Sequence, residues 1–419
     1  MNIRSVHQYN YHQPRRKSKA PLLLALLALV SVVLVAVFLT SYNNSGQQNS
    51  ANQDKNQPVA VEQPKPVAAS SKMLFAGDIF WSRRMNTWAQ ASPLKEAYPF
   101  SGLSGFNRSD YDAWIGNMEC PTDPNVQPTT HEEEELLMFN CPATYLPELA
   151  KWFNIVSLAN NHTDNHGLDS FQATRAELDK NNIQYFGHYD PAVTNEVCEM
   201  VSVPTKITLS DGSITTGSLP IAMCGHHGVF KIPLADSLAI IEEYSQYVPV
   251  IAMPHMGVEY KPSADTLRTN LYRQMIDKGA DAVLGGHPHW VQNSEAYKDK
   301  LIVYSLGNFI FDQQSNAEVT RSAVITAQLD TVNISQEQLA AWLQIGERCK
   351  EFTDSCLEQI KQQRLSKLPA SFTFGMTAGD SSGQLTKPAS PAVAKAVADR
   401  LNWDTTAAAL KPLGVPFSQ

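Results

Sequence analysis

An α/β layered core behind one N-terminal transmembrane helix is the fold class this sequence predicts, on three observations. From Met73 to residue 325, short apolar runs that read as buried strands alternate with helical stretches. Glycine, asparagine, histidine and carboxylates recur just past the ends of those runs. Ahead of them, residues 21–40 are uncharged and almost wholly apolar.

The elements run in chain order. Residues 1–20 carry five Lys/Arg and no acid, which reads as a cytoplasmic basic tail. Residues 21–40 read as the membrane anchor, because twenty residues at about 1.5 Å rise cover a hydrocarbon core ~30 Å thick. A cleaved signal peptide is the competing reading, although its apolar region is normally shorter and the residues before Ser41 make a poor cleavage site. Residues 41–71, rich in Asn, Gln, Ser, Pro and Ala, read as a flexible linker. A globular domain over 72–325 then lies outside the cytoplasm, before a helical and irregular extension over 326–419.

Within the domain, MLFAGD, FNIVSLAN, YVPVIAMPH, ADAVLGGHPH and KLIVYSLGN read as strands with their adjoining loops. Residues 168–182 and 263–279 read as helices, the second with Ser263 as N-cap and Gly279 just past its end. Residues 200–221 read as a hairpin turning at Asp211-Gly212. HEEEE (131–135) reads as a solvated loop.

Charge narrows the partners. Removing the five basic residues of the tail from 33 leaves 28 Lys/Arg against 41 Asp/Glu, a net −13 for the remainder. Nucleic acid demands a basic surface, so it is excluded as a partner. All six cysteines lie in the outer portion, and an even number suits an oxidising compartment. Pairs 120/141, 198/224 and 349/356 are one of fifteen connectivities; six free thiols are the alternative. Cys349 and Cys356 would stand about 10 Å apart on one continuous helix, beyond disulfide reach, so that pair requires a break near Thr353–Ser355.

The candidate chemistry sits at the strand ends. Gly77-Asp78 places a carboxylate where a glycine lets the backbone turn. Asn161 offers a neutral carbonyl oxygen and His162 a proton-transfer group. His255 comes just after an apolar strand. His287 and His289, two apart on extended backbone, would point to one side and chelate a cation. His226-His227, after LPIAMCG, read first as packed strand-end residues, and Glu259-Tyr260 as a buttress for His255.

Taken in order, GDIFWSR, GNMECP, SLANNHTDNHG, HMGVEY, GGHPHWVQ and YSLGNFIFDQ resemble the CapA family of poly-γ-glutamate capsule biosynthesis proteins, over residues 72–325. That family is similar to the calcineurin-like metallophosphoesterases. The resemblance implies a four-layer αββα sandwich with one or two divalent metal ions, Mn, Zn, Fe or Mg, at its strand ends. It implies Asp78 and His289 on a first metal, Asn161, His255 and His287 on a second, and Glu119 between them. His162 is implied as general acid, and Arg83 as a clamp on phosphate or carboxylate. Two departures from the wider phosphoesterase pattern stand out: Phe80 replaces a histidine ligand, and Asn117 replaces a bridging aspartate.

The function this implies is a membrane-anchored, extracytoplasmic hydrolase or transferase in the synthesis of a capsule polymer, poly-γ-glutamate or a similar polyanion. Expected partners are an anionic polymer or phosphate-containing substrate, the membrane, and membrane-bound synthase subunits. A non-catalytic assembly component and a general periplasmic phosphodiesterase are the rival readings.

Overall fold

The computed structural model describes residues 63–350 and 353–410. The expected basic tail and anchor lie outside the described residues, as does the linker up to residue 62. Among the described residues no helix is long and apolar enough to cross a membrane.

One strand organises the rest. β1 (Pro66–Ile79) is buried on both faces from Met73 onward. It pairs antiparallel with β5 (Cys198–Leu209) through residues 66–70 and with β12 (Arg321–Thr331) through 70–75. Its C-terminal half runs parallel to β2 (Ala113–Met118), and Asp78 pairs with Asn308 of β11 (Asn308–Ile310). The strand network therefore branches at β1. One arm continues from β2 to β3 (Ile155–Ser157) and β4 (Gln184–Phe186), all parallel. A second runs from β5 through β6 (Ile214–Cys224), β7 (Val250–Ala252) and β8 (Ala282–Leu284). It ends in β10 (Lys300–Val303) and β9 (Ser294–Tyr297). A third arm is β12, β13 (Ala370–Asp380) and β14 (Lys387–Pro388).

Side-chain alternation along β1 feeds two cores. Met73 and Phe75 join Ala113, Ile115, Ile155 and Phe186 from the first arm and the apolar residues of β5–β8 from the second. Leu74 and Ala76 point the other way, with Trp114 and Val156, toward helices α1 (Arg83–Ala91) and α2 (Gly167–Lys180). Helices α3 (Ala235–Ser245) and α4 (Thr266–Asp277) connect the parallel strands β6, β7 and β8. Asp265 rather than Ser263 caps α4, accepting from the Arg268 amide at 2.9 Å. The hairpin turns where the sequence places it, with Gly212 at φ +83°.

Two boundaries differ from the sequence reading. β1 begins at Pro66, inside the expected linker, because the polar run before Met73 gains backbone partners from β5 and β12. Beyond residue 325 the sheet continues: β13 pairs with β12 over eleven residues. Helix α5 (Gln336–Cys349) lays Leu339, Trp342 and Ile345 into the first core. A Cβ on Gly346 would stand 2.1 Å from the Ser218 carbonyl oxygen, so α5 lies on β6 at glycine distance.

Three disulfides join Cys120–Cys141, Cys198–Cys224 and Cys349–Cys356. Helix α5 ends at Cys349 and α6 (Thr353–Gln363) starts before Ser355, which brings the last two Cα atoms to 5.2 Å. If the C-terminal segment is part of the core, Leu339→Ala costs about 2–5 kcal/mol of unfolding free energy, the range for a buried leucine. Urea denaturation measures it; a loss under about 0.5 kcal/mol, the surface range, would place α5 outside the core.

Candidate metal centre

The parallel strands end at one level, and the loops leaving them build the site. Gly77 lets β1 reach that level, since a Cβ there would sit 1.8 Å from the Gly307 carbonyl oxygen. The Asp78 amide donates to that oxygen at 3.1 Å, which locks the next side chain in place. From β2, Glu119 is anchored by its amide on the Ile79 carbonyl at 3.0 Å. His255 lies just past β7 and is in parallel register with Gly286 beyond β8.

Two groups of ligand atoms converge, each within 4.8 Å: Glu119, His255 and His287, and Asp78, Glu119 and His289. Glu119 belongs to both. It is fully buried, and neither carboxylate oxygen has a hydrogen-bond partner among the described residues. An unpaired buried carboxylate is costly unless a cation meets it. The donor set therefore fits a divalent metal, or two sharing Glu119.

Electrostatics agree. Burial pushes Asp78 up to about 7, opposed by the hydrogen bond from Asn117. Glu119 is raised well above the carboxylate range by burial and then by the Asp78 charge. Burial holds His255 and His287 well below the ordinary imidazole value and brings His289 down to about 4. These rings are neutral at pH 7, the form that ligates metal, so their approaches to Asp78 and Glu119 are not ion pairs.

Asparagines orient the ligands. Asn117 Nδ2 donates to Asp78 Oδ1 at 2.8 Å and lies 3.1 Å from His255 Nδ1. Asn160 holds the Asn117 carbonyl oxygen at 3.1 Å. His255 Nε2 donates to Asn161 Oδ1 at 2.9 Å, so both ligand atoms expected there face each other across one proton. Metal binding at this pair would displace that proton. Asn308 spends its amide N–H groups on Gln313 and the Val319 carbonyl and accepts from His289 Nδ1 at 2.8 Å. His289 is thereby left with a bare Nε2.

Every predicted site residue lies at or beside this cluster, with several corrections. His287 and His289 do not share extended backbone. They lie past β8 at φ +93° and +58°, and they join different ligand groups. Left-handed backbone at non-glycine residues costs on the order of 1–3 kcal/mol, and here it aims two rings at two positions. Arg83, at φ +46°, is no free clamp: Nε and Nη2 are bidentate on Asp312 at 3.0 and 2.7 Å. Its guanidinium also lies over Phe139 and Phe80, and Glu133 accepts from its amide. That glutamate belongs to a helical turn capped by Thr129, where a solvated loop was expected. His162 is half-buried, with Nδ1 3.1 Å from Asn165 Oδ1, and burial brings it down to about 3. The Asn165 oxygen also accepts from the Phe139 amide, so His162 donates from Nδ1 and keeps Nε2 bare. Glu259 and Tyr260 sit against His287 and His289, 4.0 Å from Nε2 and 5.8 Å ring to ring, rather than against His255. Phe80 is core, packed on Phe139 and Phe311.

The family described as bacterial capsule synthesis protein PGA_cap matches residues 72–313, which include the whole cluster. The PGA biosynthesis protein CapA of Bacillus subtilis (strain 168) is 27% identical over 260 residues, 60% of this chain and 67% of that protein. The capsule biosynthesis protein CapA of Bacillus anthracis is 30% identical over 169 residues, 38% of this chain and 41% of its own length. Among solved structures, TT1561 of Thermus thermophilus aligns over 61% of this chain and 93% of its own, at 10% identity and TM-score 0.33.

Gly286 gives the centre a sharp test. A Cβ there would lie 2.8 Å from Asp78 Oδ1 and 3.3 Å from His255 Nδ1, and neither side chain has room to retreat. Gly286→Ala should weaken metal affinity by about 10–100-fold, as loss of a ligand's supporting contact does. Titration of metal-free protein with Mn²⁺ or Zn²⁺ reads this directly. Unchanged affinity would place the ion elsewhere.

Proposed function

The chain belongs to the bacterial capsule synthesis protein family, and from that premise we propose that it is a metal-dependent hydrolase or transferase acting on an anionic capsule polymer. Poly-γ-glutamate or a similar polyanion is the substrate class. One observation carries this reading: a fully buried Glu119, without a protein partner on either oxygen, stands where two ligand groups meet. Such a group costs stability in a merely structural domain and acquires a purpose when it holds a cation.

We read the branched sheet as an αββα sandwich. Support comes from the core shared by the β1–β4 and β5–β8 arms and from the helices packed on the opposite face of the first. We place the domain outside the membrane, tethered by the apolar run at 21–40, where it would meet membrane-bound synthase subunits. Its three disulfides suit an oxidising compartment.

A divalent cation, one or two of Mn, Zn, Fe or Mg, would supply Lewis acidity that polarises the scissile group and activates the attacking water. The chain's own residues do the rest. Asp78, Asn161, His255, His287 and His289 would hold the cation beside Glu119. His162 would be the proton donor to the leaving group once the activated water has given up its proton. Arg83, neutralised by Asp312, shapes the wall rather than gripping the substrate. Since residues 21–419 carry a net −13, a polyanion gains little from the general surface, and the cation centre is its point of capture.

Metal analysis with turnover tests the proposal. Wild-type protein should carry stoichiometric metal and cleave a γ-linked polyglutamate or bis(4-nitrophenyl) phosphate. His287→Ala and Glu119→Gln should lose the metal and at least about a hundredfold in rate. Cleavage of the phosphodiester alone favours a general phosphodiesterase. Phe80, aromatic core in place of a nitrogen ligand, favours the non-catalytic alternative. A metal-free protein that still restores capsule after His162→Ala and His289→Ala substitution would leave only a binding role.

A further inference from the structure

The sequence presents His226 and His227 as an undifferentiated pair, and the structure separates them. His226 Nε2 lies 3.0 Å from the Ser237 carbonyl of α3, so this ring serves packing. His227 turns the other way. It is in parallel register with His255, through the His255 amide on the His226 carbonyl at 2.9 Å and the Gly228 amide on the His255 carbonyl at 3.0 Å. His255 is in turn in register with Gly286, whose missing Cβ would point at Asp78 and His255. Side chains in register on parallel neighbours share a face. His227 therefore stands on the face of the strand ends that carries the metal centre.

Its hydrogen bonding is one-sided. Nδ1 meets the backbone carbonyl of Tyr189, which only accepts, so the hydrogen is on Nδ1. The neutral ring then keeps its lone pair at Nε2. That nitrogen is buried, the residue is 6% exposed, and Nε2 has no hydrogen-bond partner among the described residues. It belongs to neither ligand group around Glu119. Its register with His255, a member of one of those groups, places it on the neighbouring strand end. Phe230, 6.0 Å from the ring, is exposed.

We propose that His227 is a specificity-determining residue of this centre: its bare Nε2 accepts a hydrogen bond from an N–H or O–H of the bound substrate. A buried acceptor selects by penalty. A ligand bringing a donor satisfies it, and a ligand bringing only acceptors leaves it unpaired or sets lone pair against lone pair. The site thus favours chains with backbone amides over phosphodiesters, whose one acidic hydroxyl is ionised at neutral pH. The inference rests on the proposed metal-dependent function and adds the group that reads the substrate.

The experiment uses the metal-loaded full chain and two probes, a γ-linked glutamate oligomer with amide donors and bis(4-nitrophenyl) phosphate with none at neutral pH. Binding is measured for wild type, His227→Phe and His227→Gln, alongside metal content. His227→Phe, which fills the space without an acceptor, should weaken oligomer binding roughly tenfold, as expected for one buried hydrogen bond. It should leave phosphodiester binding within about twofold, because that probe brings no donor to Nε2, and the metal in place, because His227 belongs to neither ligand group. His227→Gln, whose carbonyl can reach the same position, should recover most of the loss. Equal weakening of both probes, or an unchanged oligomer affinity, overturns the proposal. Loss of metal in His227→Phe does so too, by making the residue a ligand. If wild type holds metal but does not bind the oligomer, the substrate assignment falls while the metal centre stands; a wild type that holds no metal sinks the centre itself.

Discussion

Two carboxylates that cannot both ionise unaided are the constraint on which this molecule turns. Asp78 and Glu119 are both fully buried, burial raises the cost of charging either, and the Asp78 charge raises it further for Glu119. The sign of the linkage is definite. Asp78 has a folded-state value near 7, above its ordinary 3.8. Its contribution to stability is complete at pH below about 4 and is lost as pH rises through 7. The imidazoles oppose it. With folded values depressed below 6.5, they contribute nothing above that pH and weaken the fold as acid protonates the unfolded chain. Without a cation the centre is thus unfavourable on both sides of neutrality. A dication resolves this by charging the acids and keeping the imidazoles neutral.

Everything else holds that conflict in place. β1 carries Asp78 to the common level of the strand ends because it is paired along both edges and buried on both faces. Gly77 and Gly286 bring backbone close enough that a methyl group would collide with the Gly307 carbonyl or with Asp78. Asparagines 117, 160 and 308 then fix the ring and carboxylate orientations. Neutral amides suit this role. A third acid at position 117 would add charge to a pair that already cannot be charged, whereas an amide donates to Asp78 and orients it.

The sequence revealed the site better than its surroundings, for physical reasons. Asp78, Asn161, His255, His287 and His289 each come after an apolar strand signal, whereas Glu119 is reached only through the resemblance that GNMECP carries. The asparagines were less visible, because asparagine near a strand end is equally a turn residue. The positions of His287 and His289 on separate ligand groups depend on left-handed backbone that no period announces. Arg83 pairing with Asp312 spans 229 residues and leaves no local trace. At the fold level, Pro66–Lys72 escaped because proline, alanine and serine give little apolar alternation, whereas Phe372, Phe374, Met376 and Ala378 do alternate at strand period in β13. Pro66–Lys72 gains its strand form largely from main-chain partners, while β13 also lays Phe372 and Ala378 into the first core.

The charge around the centre obeys the same logic. A site meant to grip a polyanion through arginines would leave their forks open, yet Arg83 is closed on Asp312 and stacked on two aromatic rings. With that cation neutralised, the positive character of the pocket depends on bound metal. Affinity for an acidic chain would then track metal occupancy, and a metal-free centre presents buried acids and neutral rings. His227 fits this arrangement, since recognising a substrate N–H requires no charge at all. Two kinds of discrimination are separated in space: attraction for negative charge at Glu119 and its neighbours, and a hydrogen-bond acceptor on the adjoining strand end. A polymer with carboxylates along its length and an amide at each linkage would meet both in a single pose.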